Sequence, residues 1–319
     1  MAVLGSRCDG WVTEGLGRYF DGAGCVGSVH AVRLSDGAEV GHDPDRLHVM
    51  ASVVKVPIGL ELYAQVAGGA LDPASAVTLE PSARTPGPVG ISQFSDAVTV
   101  SLRDLAYLML TISDNAATDA VAEAVGIDAV NHRLHHLGCT NTVVLGTIAD
   151  MLDGVGADLG FEGYDELLAA QRGALGPEAK AASTDPVRID LCRALDPERA
   201  TRTTARDATR LLTAIWDDTA APAAAASQLR DVMAQQVTRR FGPAVREGGS
   251  LAAKSGSLFG RVRNEVGVIT DPDGESYAVA VLTRARLPFV GHHEIDAAMT
   301  TTARLVANEL RSTRSNSAS

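Results

Sequence analysis

Lysine is almost absent from this chain: Lys55, Lys180 and Lys254 are the only three in 319 residues, against 28 lysines and arginines together. Arginine carries the rest of the positive charge, and its guanidinium does not give up a proton. A lysine kept in such a background marks a place where a titratable amine is wanted. Cysteine is also sparse. Cys8, Cys25, Cys139 and Cys192 show no C-x-x-C spacing, which points to packed thiols rather than a zinc site or a disulfide framework. Aromatic residues make up 4% against 45% hydrophobic, so the core is built from Ala, Val and Leu. No window of about 18 apolar residues offers a membrane span. The N-terminus has no basic segment followed by an apolar one, so we expect a cytoplasmic protein, or a secreted one if a leader has been removed. Basic runs are missing too, and a formal net charge of −11 with a pI of about 5.2 argues against nucleic acid and membrane surfaces as partners. These absences leave an acidic globular chain long enough to bury a substantial core in one large domain or two lobes.

Two of the three lysines fall in short polar patterns. Ser52-Val53-Val54-Lys55 opens an apolar run over 52–66 with helical spacing, which puts serine and lysine one turn apart on one face. A buried amine beside a hydroxyl loses its proton near neutrality and can then take the serine's. With 20 serines and three lysines, S-x-x-K arises by chance in roughly one such chain in five, so the pattern is weak by itself. Lys254 opens Lys254-Ser255-Gly256-Ser257, and between the two lies Ser113-Asp114-Asn115. That triplet follows a helix begun by Ser101, with Leu102, Leu105, Ala106 and Met109 on its apolar face. It precedes another helix over 116–125, so its side chains sit at a junction; Asp114 and Asn115 acting only as caps of the second helix is the plainer reading.

In the order S-x-x-K, S-D-N, K-[ST]-G, the chain resembles the penicillin-binding-protein and class A β-lactamase superfamily. Met50-Ala51, Arg84-Thr85-Pro86-Gly87 and Thr203-Thr204-Ala205-Arg206-Asp207 are similar to family segments as well. The resemblance implies an α+β fold: an α/β lobe with an antiparallel sheet flanked by helices, from residues 1–50 and 218–311, and an inserted all-helical lobe over 51–217. The sequence pattern agrees. Strands are expected over 26–34, 38–41, 250–257, 264–270 and 276–283, with turns at Ser35-Asp36-Gly37 and Asp271-Pro272-Asp273-Gly274. A helix over 293–310 closes the chain before a polar tail, 312–319, expected to be disordered. Residues 80–95 read as loop. The stretch 150–186, rich in glycine with a helix at 164–172, is longer than class A enzymes have; we read it as an insertion near the mouth of the site, a lid or acceptor-binding element. His132, His135 and His136 read as a solvated helix face rather than metal ligands.

By the same resemblance Ser52 is the acylated nucleophile, Lys55 its general base, and Ser113 the proton shuttle to the leaving group. Asn115 would hold a substrate amide or the Lys55 amine, Lys254 would supply positive charge, and Ser255 would bond a substrate carboxylate or carbonyl. The backbone N–H groups of Ser52 and Ser257 would form the oxyanion hole. Arg263 or Arg261 would meet an anionic group. No metal or cofactor is implied. The loop glutamate that activates water in class A enzymes does not carry over: counting back from Thr203-Thr204 places it at Arg188 and its asparagine partner at Cys192. Asp190 is out of register, and Glu162, Asp165, Glu166 and Asp185 are substitutes only if the insertion folds inward. An acyl-enzyme that forms normally and meets water slowly is therefore expected. It would be an esterase or transacylase in specialised metabolism, taking an acyl group from a small-molecule ester, amide or β-lactam and passing it to water or to an amine or alcohol. A β-lactamase with its base supplied by the insertion is the second reading, and a sensor acylated once by a β-lactam the third.

Overall fold

The computed structural model describes residues 11–288 and 290–317. In chain order, α1 (Trp11–Gly22) leads into the hairpin β1 (Cys25–Arg33) and β2 (Glu39–His42), then β3 (His48–Val49), α2 (Lys55–Ala67), β4 (Ala76–Leu79) and β5 (Val98–Ser101). Helices α3 (Leu102–Thr111), α4 (Asn115–Val125), α5 (Ile127–His136), α6 (Ile148–Asp158), α7 (Tyr164–Gln171), α8 (Pro177–Thr184) and α9 (Pro186–Asp190) follow. The chain then passes through β6 (Arg202–Thr203), α10 (Ala205–Trp216) and α11 (Ala223–Met233) to β7 (Ser250–Leu258), β8 (Val262–Thr270) and β9 (Ser276–Ala285), and ends in α12 (His292–Ser317).

Five of the strands form one antiparallel sheet in the order β2-β1-β9-β8-β7. Alternation along β9 decides what each face covers. Tyr277, Val279 and Val281 join Leu16 and Phe20 of α1 and Ile295, Met299 and Val306 of α12 in one core. Ala278, Ala280 and Leu282 point the other way, into the core shared with the helices. There α2 is buried on nearly every side, as a helix apolar all round must be. Its one acidic residue, Glu61, is paired with Arg133 of α5 at 2.5 Å, because a buried carboxylate without a partner is costly.

Three departures from the sequence pattern have local causes. Residues 51–54 form a 3-10 turn ahead of α2, entered through Ala51 at φ +48°. The run 148–190 is mostly helical, α6 to α9, and packs its own small core of Val155, Leu159, Leu167 and Cys192 against Met151, Leu258 and Phe259. Finally, α12 continues to Ser317, through most of the segment expected to be a disordered tail; residues 318 and 319 lie outside the described residues. Of the cysteines, Cys25, Cys139 and Cys192 are buried free thiols, and Cys8 is outside the described residues.

Candidate active site

The three polar patterns meet where the first turn of the helical region touches β7. In a 3-10 turn residues i and i+3 eclipse, and the Lys55 N–H bonds back to the Ser52 carbonyl, so their side chains leave on one side. The turn is pressed against the sheet by Gly256: a Cβ there would lie 3.0 Å from the Met50 carbonyl oxygen and 3.1 Å from the Ser52 nitrogen. Only glycine lets the third motif approach the first this closely. Asn264 of β8 fastens the same turn, its Nδ2 donating to the Val49 and Met50 carbonyls at 2.9 and 3.1 Å.

Ser113 is held in the left-handed region, φ +68°, between the helix it ends and the one Asp114 begins. Asp114 does cap α4, accepting from the Ala117 N–H at 3.2 Å, so the plainer reading is half right. Asn115 is not a cap. Its Oδ1 accepts from Lys55 Nζ at 3.0 Å and its Nδ2 donates to the Pro86 carbonyl at 2.9 Å.

Ser113 lies between two buried amines. Lys55 Nζ donates to the Ser113 carbonyl at 2.7 Å and to its Oγ at 3.1 Å, and Lys254 Nζ lies 3.2 Å from the same Oγ. Burial pulls Lys55 down to about 7 despite Asp114 and Asp119 nearby. Burial, and then the charge of Lys55, push Lys254 well below the ordinary lysine range. Two ammonium groups sharing one hydroxyl repel, so at least one is neutral near pH 7 and the pair titrates as a unit. The Ser52 hydroxyl makes no hydrogen bond among the described residues; it opens instead on a cavity of about 430 Å³.

That cavity runs from Ser52, Asn115 and Ser257 between α6 and the end of β7, with Leu145, Ile148, Met151, Leu152, Leu258 and Phe259 among its walls. Asp119 of α4 sets one wall by accepting the Ile148 and Ala149 N–H groups, each at 2.8 Å, and the Thr85 hydroxyl at 2.6 Å. The lone carboxylate among the lining residues is Asp150, and its Oδ2 is taken by the Thr147 N–H and hydroxyl, both at 2.8 Å, in a capping box.

The segment counted back from Thr203 reaches the cavity through Arg193, Ala194, Arg199, Ala200 and Thr201, but positions 188 and 192 themselves are not among the lining residues. Arg188 bonds the Leu159 carbonyl, Cys192 is buried in the small core, and Asp190 is held between Arg261 and Arg284 at 2.8 and 2.7 Å. Asp185 caps α9 and Glu166 accepts the Glu162 N–H at 2.6 Å. None of Glu162, Asp165, Glu166 or Asp185 lines the cavity.

Ser255 is buried, its N–H bonded to Gln236 Oε1 at 2.6 Å. Arg263 does not face the site as expected. Its Nε bonds Asp296 of α12 at 2.7 Å and its Nη2 closes a second bond to the same carboxylate. The guanidinium that reaches the site is one the sequence left unnoticed: Arg240 donates Nη2 to Ser257 Oγ at 2.9 Å, braced by Asp296 and by the Asn264 carbonyl. Arg240 lies in an irregular segment with no motif, so only folding reveals it.

A sequence model of the beta-lactamase enzyme family matches residues 12–310. The beta-lactamase regulatory protein BlaB of Streptomyces cacaoi is 31% identical over 302 residues, 90% of this chain and 94% of that protein. Among solved structures, PBP-A superposes with a TM-score of 0.75 at 18% identity, over 98% of this chain and 100% of that one. A beta-lactamase from Sphaerobacter thermophilus superposes with a TM-score of 0.72 at 24% identity, over 93% and 96%.

Proposed function

Because this chain belongs to the beta-lactamase enzyme family, we propose that it is a serine acyl-enzyme catalyst that takes an acyl group from an ester, amide or β-lactam onto Ser52 and releases it slowly to water or to an amine or alcohol. The observation that carries this reading is Ser113 bridging Lys55 and Lys254 behind a cavity whose lone carboxylate among the lining residues has one oxygen held in a capping box. Neutral Lys55 takes the Ser52 proton as the hydroxyl attacks the carbonyl carbon. The oxyanion meets the N–H groups of Ser52 and Ser257. Collapse expels the leaving group, which receives its proton through Ser113, fed from the two lysines. Lys254 and Arg240 attract a substrate carboxylate, and Ser255 gives it a hydroxyl. The apolar cavity receives the acyl part, and the helices α6 to α8 back that wall as a lid. A tetrahedral intermediate is stabilised by such donors by several kcal/mol; a second, hydrolytic passage needs a base, and among the described lining residues the one carboxylate, Asp150, is tied through Oδ2 to Thr147.

A second reading, a sensor acylated once by a β-lactam, is favoured by the relative named as a beta-lactamase regulatory protein and by the same committed Asp150. Intact-protein mass with benzylpenicillin and with a neutral activated ester, followed in time with and without small amines, separates the readings. An adduct mapped to Ser52 that outlasts water and clears with amine is the expected outcome. One that clears rapidly in water alone means a hydrolase, one that clears with neither means a sensor, and no adduct with either donor sinks the acyl-enzyme scheme.

Arg240→Ala is expected to raise KM for benzylpenicillin by about tenfold to a hundredfold, since a hydrogen bond to a charged group is worth about 1.5–3 kcal/mol. KM for the neutral ester should hold. Equal changes for both donors would show that Arg240 only braces Asp296.

A further inference from the structure

Behind Lys254 lies a buried carboxylate that the scheme above does not use. Glu265 of β8 stands opposite Ser255 of β7 and is wholly buried. Its Oε2 accepts the Phe241 N–H at 2.5 Å, and its Oε1 lies 3.4 Å from Gln236 Nε2. No cation forms an ion pair with it among the described residues. Gln236, also buried, donates its amide toward Glu265 and the Thr238 carbonyl, which leaves Oε1 for the Ser255 N–H at 2.6 Å and Lys254 Nζ at 3.3 Å. Turned over, the amide would set its NH₂ against two donors. The Thr238 carbonyl and the Glu265 carboxylate together fix which end of Gln236 faces the site.

We propose that Glu265, acting through Gln236, is a positioning residue that sets the charge of Lys254. The geometry gives Lys254 three partners: the carbonyls of Gln236 and Ser255, which only accept, and Ser113 Oγ, which can accept or donate. A change in the protonation of Lys254 is therefore felt at Ser113. Four ionisable groups meet here: Glu265 on β8, Lys254 on β7, Lys55 at the start of α2 and Arg240 from the segment before β7. Asp296 answers Arg240 and Asp114 and Asp119 lie near Lys55, whereas the carboxylate that acts on Lys254, against Lys55 and Arg240, is Glu265. Burial pushes its carboxyl up to about 7 while Arg240 and Lys254 pull it back, and its charge in turn favours the ammonium form of Lys254. With Glu265 neutralised, Lys254 loses its proton at lower pH and stops attracting an anionic donor there.

The inference rests on acylation of Ser52, and the test separates the two. Acylation kcat/KM of the full chain is measured across pH with benzylpenicillin and with the neutral activated ester, for wild type, Glu265→Gln, Glu265→Asp and Gln236→Leu. In Glu265→Gln the alkaline limb with benzylpenicillin moves to lower pH by about one unit, a tenfold loss on that limb. The neutral ester shows a smaller shift, and Glu265→Asp, which keeps the charge, restores the wild-type limb. A folded Glu265→Gln protein whose profiles overlay wild type, or fall by one factor at every pH for both donors, overturns the proposal. Should Glu265→Gln not fold, Gln236→Leu decides: a KM increase of about tenfold confined to benzylpenicillin supports it, and equal effects on both donors overturn it. A wild-type chain that forms no Ser52 adduct removes the acyl-enzyme reading itself and the coupling with it.

Discussion

Acylation by benzylpenicillin or an activated ester falls by about ten-thousand-fold or more in Ser52→Ala and in Lys55→Met, and the double variant is no worse than either. Nucleophile and base act as one unit, so removing either leaves only binding and the oxyanion donors. Lys55→Met is the sharper test. Lys55 is wholly buried, and methionine fills a similar volume without a proton to place, so a retained melting curve assigns the loss to chemistry. In the wild type the working form of Lys55 is the neutral amine. Burial lowers it to about 7, so the amine is mostly free above that pH and mostly protonated below it. The acylation rate should therefore fall about tenfold per pH unit on the acid side and level off above, until with benzylpenicillin the alkaline limb set by Lys254 begins. Stopped-flow acylation at several pH values reads this limb. A Lys55→Met protein acylated within tenfold of wild type, or a rate flat through pH 6, would assign the proton to another base.

The fold was legible wherever one pattern had one reading. Alternation along β7 to β9, the Asp273-Gly274 turn and the glycine stop after Val125 gave the sheet and the helices around it to within a few residues. The motif residues Lys55, Ser113, Asn115 and Lys254 converge as their order implied. What stayed hidden was contact between segments that no spacing relates. Gln236, Arg240, Asn264 and Glu265 carry no motif, and each acquires meaning only because β7 lies between β8 and the Ser52 turn. Arg263 looked free because its partner, Asp296, is on a helix that crosses the far face of the sheet. The stretch 150–186 was expected near the mouth of the site, and Asp150, Met151, Leu152 and Gly154 at its start do line the cavity. That α7 and α8 add no lining residue could not be read from glycine content or length.

Asp114→Ala is expected to destabilise the fold by roughly 2–4 kcal/mol and to cost acylation about a hundredfold through Ser113. The side chain is wholly buried and serves three donors: the Ile91 N–H at 2.5 Å, the Ser92 hydroxyl at 3.1 Å and the Ala117 N–H at 3.2 Å. Losing the cap of α4 costs about 1 kcal/mol. Leaving the Ile91 N–H buried and unpaired adds about 1–3 kcal/mol. In a domain of this size that lowers the melting temperature by roughly 5–10 °C. The rate effect follows from the neighbour: Ser113 holds a left-handed backbone that its side chain does not favour, and Asp114 anchors the residue after it. Asp114→Asn separates the two contributions. Its carbonyl can serve the Ala117 N–H or the Ile91 N–H but not both, because its NH₂ must then face the other donor, so about 1 kcal/mol should return and no more. Calorimetry and acylation rates on both variants check the ordering wild type, Asn, Ala. An Asn variant as stable and as fast as wild type would mean the carboxylate is only a cap, and that Ser113 keeps its place without it.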